Sequence, residues 1–297
     1  MNLVEVNQQY GTEEKCRELL KRLRWPEGVT CPRCKSRTIS RLFTQDKFEC
    51  SDCRYQFSVM AGTIFNDSHL PLTKWFLATV LLCEAKKGMS ACQIQRTLGI
   101  SYKTAWYLCH RIRAAMNEAS KKMLSGTVEM DETYVGGKMK GRGIKAAKDA
   151  KEIVVVLRER GGETRFFHAE DVKAGTLAQY IKDNVSADVD VMMTDDFSSY
   201  PFAMDRAGVD REKHKVIRHS SGIYVMGKIH TNTAENAFSL LKRGIMGTWH
   251  KVSAKHLASY LQEMEFRFNR RNNSDLFVDT LRHMITAPVL TFEKLTA

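Results

Sequence analysis

The stretch "VEMDETYVGG", Val128 to Gly137, decides how this chain is read. Val128, Met130, Thr133, Tyr134 and Val135 favour an extended strand. Glu129, Asp131 and Glu132 nevertheless put three carboxylates into four of its positions. Like charges on a short strand repel one another and resist burial. Either the strand is a solvated edge, or a bound cation with acidic partners from elsewhere makes the crowding tolerable. On the second reading Asp131 is the ligand, while Glu129 and Glu132 point to the opposite face, solvated or paired.

The sequence that follows supplies candidate partners. "EIVVVLRER" (152–160) and "ETRFFHAED" (163–171) read as two more strands joined by a Gly161-Gly162 turn. A helix is predicted at about 174–184, then an apolar strand in "VDVMMTDD" (189–196), then a helix near "FSSYPFAMDRAG" (197–208). Three antiparallel strands, a helix and a further strand describe a ribonuclease H-like core. There Asp131, in the first strand, and Asp195, where the "VMMTD" strand ends, lie side by side. A helix from about Thr233 places Ala237, Phe238, Leu240 and Leu241 inward. Its other face carries Glu235, Asn236, Ser239, Lys242 and Arg243, so Glu235 can bring a third acid and Lys242 a cation two turns on. A last helix, about 252–270, closes this part.

Upstream, Cys31-Pro-Arg-Cys34 and Cys50-Ser-Asp-Cys53 form two CxxC knuckles. Two tight turns that aim four thiolates at one point suit a tetrahedral Zn²⁺, and a segment so poor in apolar residues needs the metal to fold. A redox dithiol or a disulfide pair is the lesser reading. Cys16, Cys83, Cys92 and Cys109 share no ligand spacing and read as small core residues. From Leu70 onward the pattern is helical. Ser90 and Ser101 are placed to cap two helices separated by Gly99, a helix-turn-helix layout. Lys103, Thr104, Tyr107, His110 and Arg111 are expected on its outward face, facing phosphates and base edges.

Charge agrees with that division. Of the net +12, residues 1–125 contribute most, with 20 Lys+Arg against 11 Asp+Glu, whereas residues 126–297 carry 26 against 23. A basic front joined to a balanced remainder suggests a polyanion-binding module attached to something else. No apolar run is long enough for a membrane span, and the N-terminus lacks the pattern of a secretory signal, so a cytoplasmic protein without membrane partners is expected.

The Cys31/Cys34/Cys50/Cys53 ribbon, "AGTIFNDSHLPLTKWF", "EMDETYVGGK", "MTDDFSSY" and "HTNTAENAFSLLKRGIMGTWHKVS…FRFNRR" together resemble one family. The chain is similar to bacterial insertion-sequence transposases that join an N-terminal zinc ribbon to a DDE-type integrase domain, a group related to Merlin elements. The resemblance covers about Trp25 to Arg271. It implies a multidomain α+β protein: residues 1–60 with the ribbon at about 28–57, a helix-turn-helix region over 61–122, a ribonuclease H-like mixed-sheet catalytic domain over 123–275, and a C-terminal tail, 276–297. It implies Asp131, Asp195 and Glu235 as a triad for two Mg²⁺ or Mn²⁺ ions, Lys242 and Arg243 on DNA, and one structural Zn²⁺ on the four cysteines. Asp195 is preferred to Asp196, while Asn236 and Asn232 remain alternatives for the third position. The expected activity is metal-dependent strand cleavage and strand transfer at terminal inverted repeats, by a homodimer or higher oligomer on double-stranded DNA within the bacterial nucleoid. A domesticated, inactive DNA-binding regulator and a ribonuclease H-like nuclease without joining activity are the alternatives. Histidine catalysis through His214, His219 or His230 lacks a paired nucleophile. The basic insert after Gly137, "KMKGRGIKAAKDAK", is shorter than this group suggests.

Overall fold

Asn2 starts the first ordered element. Its side chain accepts the N–H groups of Val4 and Glu5, and the Glu5 carboxylate accepts the N–H of Asn2 at 2.9 Å, a closed capping box. The computed structural model describes residues 1–118, 121–136, 151–218 and 230–297; most of the basic insert, and His219, lie outside them. The chain divides into two compact units, residues 1–117 with 270–297, and residues 118–269.

The first unit opens with α1 (Leu3–Tyr10) and α2 (Glu13–Arg24). Strands β1 (Ile39–Leu42), β2 (Lys47–Cys50) and β3 (Gln56–Phe57) then form an antiparallel ribbon, tied by the pairs Ile39–Cys50 and Phe48–Phe57. Its small core is Cys31, Phe48, Cys50 and Phe57, with Trp25, Val29 and Tyr55 packed around it. Next come α3 (Leu72–Glu84), α4 (Ala91–Leu98) and α5 (Tyr102–Ala115). Ser90 accepts the Gln93 N–H and Ser101 accepts the Thr104 N–H, as expected of caps. Gly99, at φ +59°, ends α4 in the left-handed region, where a side chain would be strained. Cys16, Cys83 and Cys109 are buried as expected; Cys92 is exposed on α4 instead.

In the second unit β4 (Thr127–Val135), β5 (Glu152–Glu159), β6 (Thr164–Ala169), β7 (Val191–Thr194) and β8 (His214–Val216) build a mixed sheet in the order β6-β5-β4-β7-β8. The first three are antiparallel; β7 runs parallel to β4, and β8 parallel to β7. Alternation along "VVVL" shows why the sheet is buried on both faces. Val155 and Leu157 join Val128, Met130 and Met192 against α6 (Ala174–Asn184) and α7 (Ser199–Ala207). Val154 and Val156 join Val135 and Phe166 against α8 (Asn232–Gly244) and α9 (Ala254–Asn269).

The chain returns to the first unit with α10 (Leu276–Thr286) and α11 (Phe292–Thr296). Phe277, Leu281, Met284 and Leu295 are buried there, and Tyr10, Phe76 and Phe277 form an aromatic cluster. The segment expected as a tail is therefore part of a core, and residues 1–60 and 61–117 share one unit. Among the described residues, no helix is long and apolar enough to cross a membrane.

Candidate active site

Asp131 sits in the middle of β4. The parallel pairing Thr127–Val191, Val128–Met192 and Glu129–Met193, carried two residues further, sets Asp195 beside it. Asp195 follows the last residue of β7, and its Oδ1 accepts the Phe197 N–H at 3.0 Å, which fixes the turn into α7. Asp195 is half-buried, whereas Asp196 is exposed. Burial pushes the Asp131 carboxyl up to about 8; the charges of Glu132, Asp195 and Glu235 push the same way, against the Glu132 N–H that it accepts. Acids from a strand, a strand end and a helix thus act on one carboxyl.

Of the other two carboxylates of β4, Glu132 lies on the expected face and Glu129 does not. Glu132 does face the side opposite Asp131, but it is half-buried and accepts the Tyr200 hydroxyl. Burial raises its pKa, as does the charge of Asp195, while the Tyr200 hydrogen bond opposes the rise. Glu129 shares the face of Asp131, because strand side chains alternate with period two. It is 0% exposed and pairs with Arg160 at 2.6 Å. Both are paired, one of the two outcomes expected of them.

On α8, Ala237, Phe238 and Leu241 are buried, while Glu235, Asn236, Lys242 and Arg243 are exposed. Asn232 is exposed at the helix start. Glu235 and Lys242 lie two turns apart, so a carboxylate and an ammonium are presented along one helix face. His214 shares a hydrogen bond with the Thr194 hydroxyl at 2.9 Å, and His230 contacts Arg160 at 2.9 Å; both have structural partners.

The four ribbon sulfurs of Cys31, Cys34, Cys50 and Cys53 all lie within 4.8 Å of one another. The Cys31–Cys53 and Cys34–Cys50 separations, 3.6 and 3.5 Å, exceed the roughly 2.05 Å of a disulfide. The two knuckles are built alike. Lys35 N–H donates to Cys31 O and Arg54 N–H to Cys50 O, with Lys35 at φ +63° and Arg54 at φ +55°. Burial alone would raise the Cys31 thiol, but the N–H groups of Cys34 and Arg33 bring it down to about 7. Four convergent sulfurs, with Cys31 and Cys50 inclined to ionise, fit a structural Zn²⁺.

The expected outward face of α5 is largely covered. His110 and Arg111 are only 1% and 3% exposed. Arg111 Nη2 donates to Asn66 O at 2.7 Å, and its guanidinium lies over the Trp75 and Tyr107 rings. The Tyr107 hydroxyl donates to Leu290 O at 2.6 Å, and Phe292 packs edge-on against its ring. Thr104 is half-buried, while Lys103 is exposed with its ammonium 4.6 Å from the Phe292 ring centre. Among the residues left open are Tyr102, 51% exposed, and Lys103 at the start of α5, with Gln93 and Arg96 on α4. The sequence pattern offered no sign that residues near 290 would cover α5.

Residues 123–269 match the ISXO2-like transposase domain, and residues 11–56 match the transposase zinc-ribbon domain. An uncharacterized protein in transposable element ISH50 of Halobacterium salinarum is 30% identical over 277 residues, covering 87% of this chain and 91% of that relative.

Proposed function

Since the chain belongs to the insertion-sequence transposases with a zinc ribbon and an ISXO2-like transposase domain, we propose that it cleaves and joins DNA at terminal inverted repeats through Asp131, Asp195 and Glu235. The observation that carries this reading is the convergence on the half-buried Asp131 carboxyl, raised first by burial and by Glu132 and further by the charges of Asp195 and Glu235 from two other elements. The sheet order β6-β5-β4-β7-β8, three antiparallel strands followed by two parallel ones, supports a ribonuclease H-like core.

The donor set is made of carboxylate oxygens and gathers three negative charges at one partly buried place, which fits hard divalent cations such as Mg²⁺ or Mn²⁺. Asp131, Asp195 and Glu235 would hold two such ions, which when bound supply activation of the nucleophile and neutralisation of the scissile phosphate. Asp131 and Asp195 provide the fixed side of the site, anchored by the sheet. Glu235 provides the exposed side, and Lys242 extends an ammonium toward the substrate phosphate, with Arg243 beside it. In the reaction, a water or DNA 3′-oxygen forms a bond to phosphorus as the bond to the leaving oxygen breaks in line. Cleavage and joining are one displacement with different nucleophiles.

DNA is held by the basic first unit. The exposed positions favour Tyr102 and Lys103 at the N-terminus of α5, with Gln93 and Arg96 on α4, over the buried His110 and Arg111. A helix-turn-helix uses the same end of its second helix on base edges. The assembly that pairs two element ends is a dimer or higher oligomer on DNA.

The test incubates the full-length protein with a labelled inverted-repeat duplex and target DNA in Mg²⁺ or Mn²⁺. Nicked ends and joined products are expected, and both vanish with Asp131→Asn. Cleavage without joined product would leave a nuclease, and binding without either would leave a regulator.

A further inference from the structure

The N-terminus of the helix that carries Glu235 is capped from another strand. Thr231, its N-cap residue, makes no side-chain cap bond. The N–H groups of Thr233 and Ala234 instead donate to Glu129 Oε2, both at 2.9 Å. The other oxygen, Oε1, accepts Arg160 Nε at 2.6 Å and lies 3.5 Å from His230 Nδ1. Arg160 Nη2 donates to His230 O at 2.8 Å and touches Met193 Sδ at 3.1 Å. One ion pair, its carboxylate fully buried and its guanidinium half-buried, therefore reaches β4 two residues before Asp131, β7 two residues before Asp195, and α8 one residue before Glu235.

We propose that Glu129 is a positioning residue: its carboxylate fastens the first turn of α8 to β4 and so holds Glu235 in register with Asp131 and Asp195. This rests on the reading of Glu235 as the third acid. The physical case has three parts. A fully buried carboxylate persists only when its lone pairs are satisfied, and two backbone N–H groups and a guanidinium do that here. A negative charge at a helix N-terminus is favoured by the helix dipole as well as by the orphan N–H groups. Finally, Glu235 is itself exposed, and the buried face of α8 (Ala234, Ala237, Phe238 and Leu241) holds the helix on the sheet through non-directional apolar contacts. The cap adds a directional tie at the first turn, next to Glu235. Arg160 then sets the same carboxylate against β7.

The experiment compares full-length Glu129→Gln with the parental protein, Asp131→Asn and Glu235→Gln. The amide keeps the shape of Glu129 but loses its charge and presents an NH₂ to donors. Four quantities are read: gel-shift affinity for inverted-repeat DNA, cleavage rate, binding of Mn²⁺ alone by electron paramagnetic resonance, and amide hydrogen exchange over residues 231–238. Glu129→Gln is expected to keep parental DNA affinity, to lose cleavage and Mn²⁺ affinity by roughly 10–100-fold, and to exchange faster at the start of α8. If exchange and the Mn²⁺ midpoint stay parental, the inference is overturned, even where the melting temperature drops. If Glu235→Gln cleaves normally, the reading of Glu235 fails, whatever Glu129 does. Should Glu129→Gln not fold, Thr233→Pro removes one of the two donors in the first turn, where the missing N–H breaks no intrahelical bond. That variant is expected to show the same pattern with a smaller loss, and parental Mn²⁺ binding in it would overturn the inference.

Discussion

Asp131 concentrates the cost of building an acidic site inside a folded sheet. Its carboxyl is raised to about 8, so between about pH 4 and pH 8 the folded protein keeps a proton that the unfolded chain releases. The sign follows: without metal, this group lowers stability progressively as pH rises through that window. Asp131→Asn removes the titration. Its metal-free form is expected to melt higher than the parent at pH 7, by roughly 2–4 °C for each kcal/mol gained in a unit of this size, and to lose cleavage entirely. A calorimetric scan at pH 5 and pH 8 checks this; an Asp131→Asn protein less stable than its parent at pH 8 contradicts it. At the third position, Glu235→Gln is expected to match Asp131→Asn and Asp195→Asn in loss of cleavage, because residues acting as a unit lose activity non-additively. Asn236→Ala is expected to be mild. If Asn236→Ala or Asn232→Ala is dead while Glu235→Gln cleaves, the third ligand is misassigned. Asp131 was legible because three carboxylates on a strand demand a reason. Glu129 was misplaced: the period of two puts it on the face of Asp131 and not on the opposite one expected of it, and nothing local shows that a helix 104 residues later donates to it.

At the scale of elements, the strands and helices with strong periodicity were legible and the chain ends were not. The alternation of β5 and the caps at Ser90 and Ser101 are local signals, and the structure honours them. The helices α1, α2, α10 and α11 were absent from the sequence reading, because short segments at chain ends become helical through the partners they pack against. Leu276, Phe277, Leu281, Met284 and Ile285 do recur at helical spacing, a signal that was available. Their burial makes a test. Leu281 is fully buried, so Leu281→Ala is expected to cost about 2–5 kcal/mol, read as a lower melting transition of the first unit. A C-terminal tail would show almost no change. On α5 the same logic separates a buried basic residue from an exposed one. Arg111→Ala is expected to lower stability through the lost Asn66 and Trp75 contacts, whereas Lys103→Ala is expected to weaken DNA binding with the melt unchanged. Equal effects of both variants on DNA affinity, without any change in melting, would restore the original assignment of Arg111 to the DNA face.

For the whole molecule the decisive property is that its parts draw stability from different sources. The second unit has apolar clusters on both faces of its sheet, with Val155 and Leu157 on one and Val154 and Val156 on the other. The ribbon has four core residues, two of them cysteines whose sulfurs converge with Cys34 and Cys53. Burial on that scale does not offset the conformational entropy of its loops, so the metal must supply the difference. Chelating zinc, or replacing Cys31 and Cys34 with Ser, is therefore expected to unfold the ribbon and abolish specific DNA binding. The transition belonging to residues 118–269 should stay where it was. The parental protein should bind inverted-repeat DNA with affinity that falls steeply as salt rises, because residues 1–125 hold 20 basic against 11 acidic side chains and displace counterions from phosphates. Calorimetry with and without chelator, paired with gel shifts at low and physiological salt, reads both effects. If chelation removed the transition of residues 118–269, the two units would not be independent in stability. If affinity ignored salt, the basic front of the chain would not be a phosphate-binding surface.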